Sequence, residues 1–184
     1  MTNPPEINSN PFTLAMVRGT GLTRQHPVFI RRAVRAVITK NDQYLMVFSE
    51  KEGDYKFPGG GVLPGEGHRQ ALARELLEET GYTLQRLIAL LGTTIELDFL
   101  RGSETSVFRM ISFYYMCELA DGQVALSLDP YEKEFGYTPR WVSPHDALKH
   151  NEVLGQQVAS EPLFWLARET AVLRTLIASG LQSP

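Results

Sequence analysis

Apolar and polar positions divide the chain into short alternating runs separated by glycine, proline and asparagine. Met1 to about Pro27 shows little periodicity, which predicts an extended arm over residues 1–28 with room for one short strand at Phe12–Val17. Ala33–Thr39 and Gln43–Ser49 are β-branched and aromatic, and Lys40-Asn41-Asp42 supplies a turn between them, the pattern of a hairpin. A loop rich in glycine follows, then a helical pattern from about His68 to Thr80 that Gly81 stops. Further strands are expected at Thr93–Leu100, Thr105–Leu119, Val124–Leu128 and Tyr137–Val142, with turns at Arg101-Gly102-Ser103 and Asp121-Gly122. Ser143 and Pro144 open a short helix, and Glu161–Ser179 carries Leu163, Leu166, Leu173 and Leu176 at helical spacing before Gly180. Strands, helix, strands, helix in that order predict an α+β domain over residues 29–184, an α/β/α layering with a mixed β-sheet between helices and a C-terminal helix.

The helix at His68–Thr80 is unusual in its charges. At about 100° per residue, Glu75, Glu78 and Glu79 share one arc, while Leu72, Ala73, Leu76 and Leu77 take the neighbouring side. A solvated acidic face is the common meaning of such a pattern. Here Glu75 and Glu79 repel at i,i+4 with no lysine to relieve them, and the helix follows Phe57-Pro58-Gly59-Gly60-Gly61, where backbone can approach a ligand closely. Converging carboxylates beside such a loop form a hard-oxygen site suited to Mg²⁺ or Mn²⁺. Two other glycine-loop patterns fail: Gly65 is followed by Glu66 rather than by Lys-Ser/Thr, and Pro64 stands where a dinucleotide loop needs its third glycine.

Bulk properties narrow the partners. The chain has 184 residues, 43% hydrophobic and 21% charged, with a net charge of −3. That suits one globular core and gives no general attraction to nucleic acid or to an anionic membrane. Cys117 is the single cysteine, so no disulfide forms within the chain. The first residues lack a basic n-region and an apolar h-region, and no apolar run has the length of a membrane span, so a cytoplasmic protein is expected.

Gly60, five residues, Glu66, seven residues, then Arg74-Glu75-Leu76-Leu77-Glu78-Glu79-Thr80-Gly81-Tyr82 resembles the Nudix box. Every fixed position of that family's pattern is matched, and the soft departure is Tyr82, an aromatic where an aliphatic is usual. The strand order resembles the Nudix fold over about Ile30–Leu148. The resemblance implies hydrolysis of a nucleoside diphosphate linked to another group, with divalent metals held by Glu75, Glu78, Glu79 and the carbonyl of Gly59. It implies that Arg74 orients the helix carboxylates, and that Glu66 supports the loop or reaches a metal through water. It places the proton-accepting base in the box or on a later loop, where Glu134 is the candidate and Glu132 a weaker one.

Other residues carry less. Alternation puts Arg31 and Arg35 on one face of their strand and Arg32 on the other, so Arg35 is a candidate for substrate phosphate or ribose. Among Tyr44, Phe48, Tyr55 and Phe57, which could supply a stacking wall, Phe57 is the candidate. His68 falls in the first turn of the helix, where a solvated position is expected; His26, His145 and His150 have no partners at ligand spacing, and Cys117 lies in an apolar strand, which argues against the family's cysteine-dependent isomerase. No proline lies between Tyr82 and Pro130, the next tyrosine is Tyr114, and no coenzyme A motif precedes the box, so the marks of three subfamilies are missing and the substrate is left open among nucleoside diphosphate derivatives. A Nudix-fold module that senses a nucleotide or holds a partner is the alternative, and the complete set of carboxylates argues against it. The N-terminal arm offers a segment for a homodimer.

Overall fold

A computed structural model describes residues 11–19, 21–23, 25–103, 105–158 and 163–181. Among the described residues, eight strands and four helices follow one another as β1 (Phe12–Val17), β2 (Val28–Val37), β3 (Thr39–Lys40), β4 (Gln43–Ser49), β5 (Asp54–Lys56), α1 (His68–Thr80), β6 (Leu84–Phe99), β7 (Val107–Leu119), α2 (Pro130–Phe135), β8 (Tyr137–Val142), α3 (Pro144–Gln157) and α4 (Phe164–Ala178). One sheet has the order β1-β6-β7-β2 and is mixed: β1 is parallel to β6, β6 antiparallel to β7, and β7 parallel to β2. In the second sheet β4 pairs antiparallel with β3, β5 and β8.

Side chains alternate across a strand, so β2 feeds two cores. Val34 and Ala36 join Leu45, Ala71, Leu72 and Leu76 under α1. Val37 joins Tyr44, Phe57, Tyr114, Val172, Leu173 and Leu176 under α4. The result is the expected α/β/α layering. No helix among the described residues is long and apolar enough to cross a membrane.

Four expectations change. The hairpin is confined to β3 and β4, with Asn41 and Asp42 both at positive φ in its turn. β2 leaves it and pairs with β7 in the other sheet. β6 begins at Leu84, well before Thr93; the apolar run Leu87–Leu91 inside it has a period that cannot distinguish helix from strand, and three register shifts carry it along β7. Val124–Leu128 is not a strand. It runs across the end of α1, where the Val124 N–H donates to the Gly81 carbonyl (2.9 Å) and the Ser127 N–H to the Glu78 carbonyl (3.1 Å). A side chain at Gly81 would meet the Val124 carbonyl at 2.2 Å, which is one reason glycine ends α1.

The fourth change is α2, a six-residue helix where a loop was expected. Asp129 caps it and accepts from the Glu132 N–H (2.7 Å), while the Glu132 carboxylate accepts from the Asp129 N–H (2.6 Å). The strand expected at Phe12–Val17 is β1, which pairs with β6 of its own chain. Of the expected C-terminal helix, Glu161 and Pro162 lie outside the described residues, and α4 runs from Phe164.

Candidate functional site

The glycine loop is pinned along β2 like a further strand. Val34 and Ala36 donate to the carbonyls of Gly60 (2.9 Å) and Pro58 (2.8 Å), and Val62 donates to that of Arg32 (2.9 Å). This brings α1 close enough that a Cβ on Gly60 would lie 2.4 Å from Glu75 Oε1. Glycine is therefore what lets a carboxylate of α1 rest on the loop.

The helix is rotated from the sequence expectation. Leu77 is 40% exposed, whereas Glu75 and Glu79 are buried with Ala71, Leu72 and Leu76. Glu79 accepts the Gly59 N–H at 2.7 Å. Opposite them stands Glu132 of α2, itself buried. Glu75, Glu79 and Glu132 each offer an oxygen, and these three lie within 4.8 Å of one another. Burial raises all three carboxyls above the ordinary range, and mutual repulsion adds to it: Glu75 pushes on Glu79, while Asp129 and Glu75 push on Glu132. A hard divalent cation beside these carboxylates is the partner that would relieve this arrangement, so the residues present fit one.

Arg74 organises the outer side. Its Nε and Nη2 donate to the two oxygens of Glu66 (both 3.0 Å), Nη2 also to the Gly61 carbonyl (3.0 Å), and Nη1 to Glu75 (2.8 Å) and Glu78 (3.3 Å). The Arg74 hydrogen bonds hold the Glu66 carboxyl below its ordinary range. Glu66 also accepts the Leu63 N–H at 3.0 Å, so it braces the loop rather than facing the three carboxylates. Glu78 stays half-exposed beside Arg74, outside the buried triad.

The remaining expected residues divide sharply. Arg35 reaches the site, but its Nη1 donates to the carbonyls of Gly59 and Phe57, so the Gly59 carbonyl expected at a metal is engaged by a guanidinium. Glu134 is not brought to the site: its side chain is 64% exposed and paired with Lys51. Glu132, the weaker candidate by sequence, is the acid that α2 turns inward. Phe57 is 1% exposed and packs edge-on against Tyr114, so it is core and offers no stacking face. His68 donates or accepts in a 2.6 Å bond to the Tyr115 hydroxyl, away from the acidic cluster.

A cavity of about 550 Å³ opens from the triad and the glycine loop. Arg31 and Arg35 line it, as their shared face predicts. Its other walls come from residues that sequence reasoning missed: Lys56, Tyr131 and Tyr137 on one side, and Glu96, Phe108, Trp165 and Arg168 on another. The sequence did carry one sign of α2, since Asp129, Pro130 and Glu132 form a capping box with proline at the first helical position. Nothing local marked the contributions of α4.

Known proteins resemble this chain in sequence and fold. The NUDIX domain profile matches residues 29–162. An RNA pyrophosphohydrolase of Legionella pneumophila is 30% identical over 120 residues, covering 60% of this chain and 68% of that protein. Among solved structures, a NUDIX hydrolase from Nitrosomonas europaea has a TM-score of 0.53 at 22% identity and covers 85% of this chain and 93% of its own. A UDP-X diphosphatase has a TM-score of 0.52 at 16% identity and covers 84% and 66%. Both structures share the fold. Carrying the complete box on that fold, with its carboxylates gathered beside the glycine loop, the chain belongs to the NUDIX family and is one of its hydrolases, a pyrophosphatase.

Proposed function

We propose that the domain of residues 29–184 hydrolyses its substrate with divalent metal, Mg²⁺ or Mn²⁺, held by Glu75 and Glu79, with Glu78 at the rim. The observation that carries this is the buried triad of Glu75, Glu79 and Glu132, three oxygens within 4.8 Å at the mouth of the glycine loop. When bound, the metal supplies charge for the phosphate oxygens and acidifies the attacking water. Arg74 keeps Glu75 and Glu78 oriented toward the site and ties them to Glu66 and the loop. Arg31 and Arg35 bring positive charge to the cavity wall and bind the substrate's phosphates. Glu132 holds Oε2 on the Asp129 N–H, which leaves Oε1 to take the proton of the attacking water.

A second substrate reading has its own support. The Legionella pneumophila relative is named for RNA, so the 5′ end of an RNA joins the small nucleoside diphosphate derivatives as a candidate. The net charge of −3 favours the small molecules.

A turnover panel decides. Protein with Mg²⁺ or Mn²⁺ is given nucleoside triphosphates, ADP-ribose, nucleotide sugars, dinucleoside polyphosphates, coenzyme A and 5′-triphosphorylated RNA, with products read by chromatography. Turnover of one class that Glu79→Gln abolishes supports the reading. Equal turnover with and without chelator removes the metal from it.

A further inference from the structure

The cavity has a second end, built on the sheet and on α4. Arg31 pairs in register with Met110 and Met110 with Glu96, so these three side chains share one face of the β2-β7-β6 sheet. Phe108 lies on the same face two residues before Met110. α4 covers this face with Trp165 and Arg168, and all of these residues line the cavity.

Two features there ask for a ligand. First, Glu96 is 1% exposed and Arg168 is 4% exposed, and Arg168 Nη1 donates to Glu96 Oε2 at 2.8 Å. The guanidinium is fixed from behind, because Nε and Nη2 both donate to Glu169 Oε1 (3.0 and 2.8 Å) and Glu169 Oε2 accepts the Phe57 N–H (3.2 Å). A rigid carboxylate with a rigid guanidinium beside it thus forms part of the cavity wall. Second, the Trp165 indole N–H is buried and has no acceptor among the described residues. Native proteins rarely leave such a donor unpaired without water or a ligand to meet it.

The aromatic walls are braced from within the chain. Phe108 stacks on Phe29 with centroids 6.1 Å apart and planes at 19°, and the Lys56 ammonium lies 5.5 Å from the Trp165 ring centroid. A held ring on the sheet suits a flat aromatic guest, and a held indole on the helix can turn its N–H to that guest's edge.

We propose that this end of the cavity is a nucleobase subsite that selects guanine, stacking the base on Phe108, with its N1–H and exocyclic amine donating to Glu96 and its O6 accepting from the Trp165 indole N–H at the base edge. An ion-paired carboxylate only accepts, so it meets a base edge that presents two adjacent donors, and among the common bases guanine alone does. Adenine presents one donor beside an acceptor, which would face the carboxylate with like polarity. The inference names the substrate class of the proposed hydrolase site and rests on that reading for its catalytic meaning, but the subsite is tested without metal.

The test uses the Trp141→Phe protein, in which Trp165 is the single indole, titrated with GMP and then AMP, CMP and UMP in chelator while its fluorescence is followed. The expected result is saturable quenching with GMP binding about tenfold or more tighter than AMP. Glu96→Gln should bring the two within about twofold. Trp165→Phe, assayed by turnover with metal, should raise KM for the guanine nucleotide by about tenfold while kcat holds. Equal binding of all four nucleotides, or no change in Trp165 fluorescence, overturns the subsite even if turnover is normal. GMP preference in a protein that turns over nothing would retain the subsite and remove the hydrolase reading instead. If Glu96→Gln does not fold, the GMP-to-AMP ratio of the Trp141→Phe protein alone decides.

Discussion

The two ends of the cavity are built by opposite routes. At the acidic end Gly59, Gly60, Glu75 and Glu79 come from one contiguous stretch, and a loop pinned to β2 and one turn of helix suffice to converge them. At the α4 end Glu96, Phe108 and Arg168 come from β6, β7 and α4, and only the register of two strands and the docking of a helix bring them together. Apart from Glu132, which α2 brings in, the first end is local, and it holds like charges in repulsion. The second is non-local, and its charges are paired before any ligand arrives, with Arg168 between Glu96 and Glu169. The residues of the box thus meet through local structure, and the proposed base subsite is assembled by tertiary structure.

The largest expected effects break the acidic end. Glu79→Gln removes a buried carboxylate from the triad and should lower turnover by roughly a thousandfold, on the scale of several kcal/mol of charge stabilisation, with the circular dichroism of the parent. Activity within a few fold of the parent would dismiss Glu79 as a ligand. Glu132→Gln should lower kcat by about a hundredfold or more, the size of a lost general base. Steady-state kinetics of this variant beside Glu134→Gln separates two acids two residues apart on α2.

How much of this was legible follows the same division. The box, the glycine loop and the helix to Gly81 were all readable, because spacing along one helix fixes which side chains meet. The rotation of α1 was not: placing Leu77 inside requires ignoring that Glu75 and Glu79 are the side chains against the loop, a fact of docking rather than of period. Phe57 looked like a stacking residue because aromatic character does not tell a core face from a cavity face. Glu132 and Glu134 differ by two residues, and only the capping geometry of α2 turns the first inward. Trp165 and Arg168 had no local mark at all, since an aromatic and a basic residue on an amphipathic helix are ordinary.

A smaller effect tests the frame that holds the acidic end. Leu76 is fully buried beneath α1 with Val34 and Ala36, so Leu76→Ala should cost about 2–5 kcal/mol of stability in denaturant melts. A negligible loss would mean that α1 is docked by another face, and the triad with it.

The smallest effect is the most discriminating between α2's two acids. Glu134 is exposed and pairs with Lys51, a contact between two solvated side chains. Such pairs contribute about 0–1 kcal/mol, so Glu134→Gln should leave the melting temperature nearly unchanged. Its kcat should stay within about twofold of the parent, because nothing places its carboxylate against the triad. The contrast with Glu132→Gln then stands as a ratio between neighbours on one short helix, insensitive to expression or folding differences between preparations. A hundredfold loss in Glu134→Gln with Glu132→Gln near normal would reverse the assignment. It would require α2 to turn by about two residues when substrate binds, carrying Glu134 inward and Glu132 out, and the α2 end would then owe its geometry to the ligand rather than to the cap at Asp129.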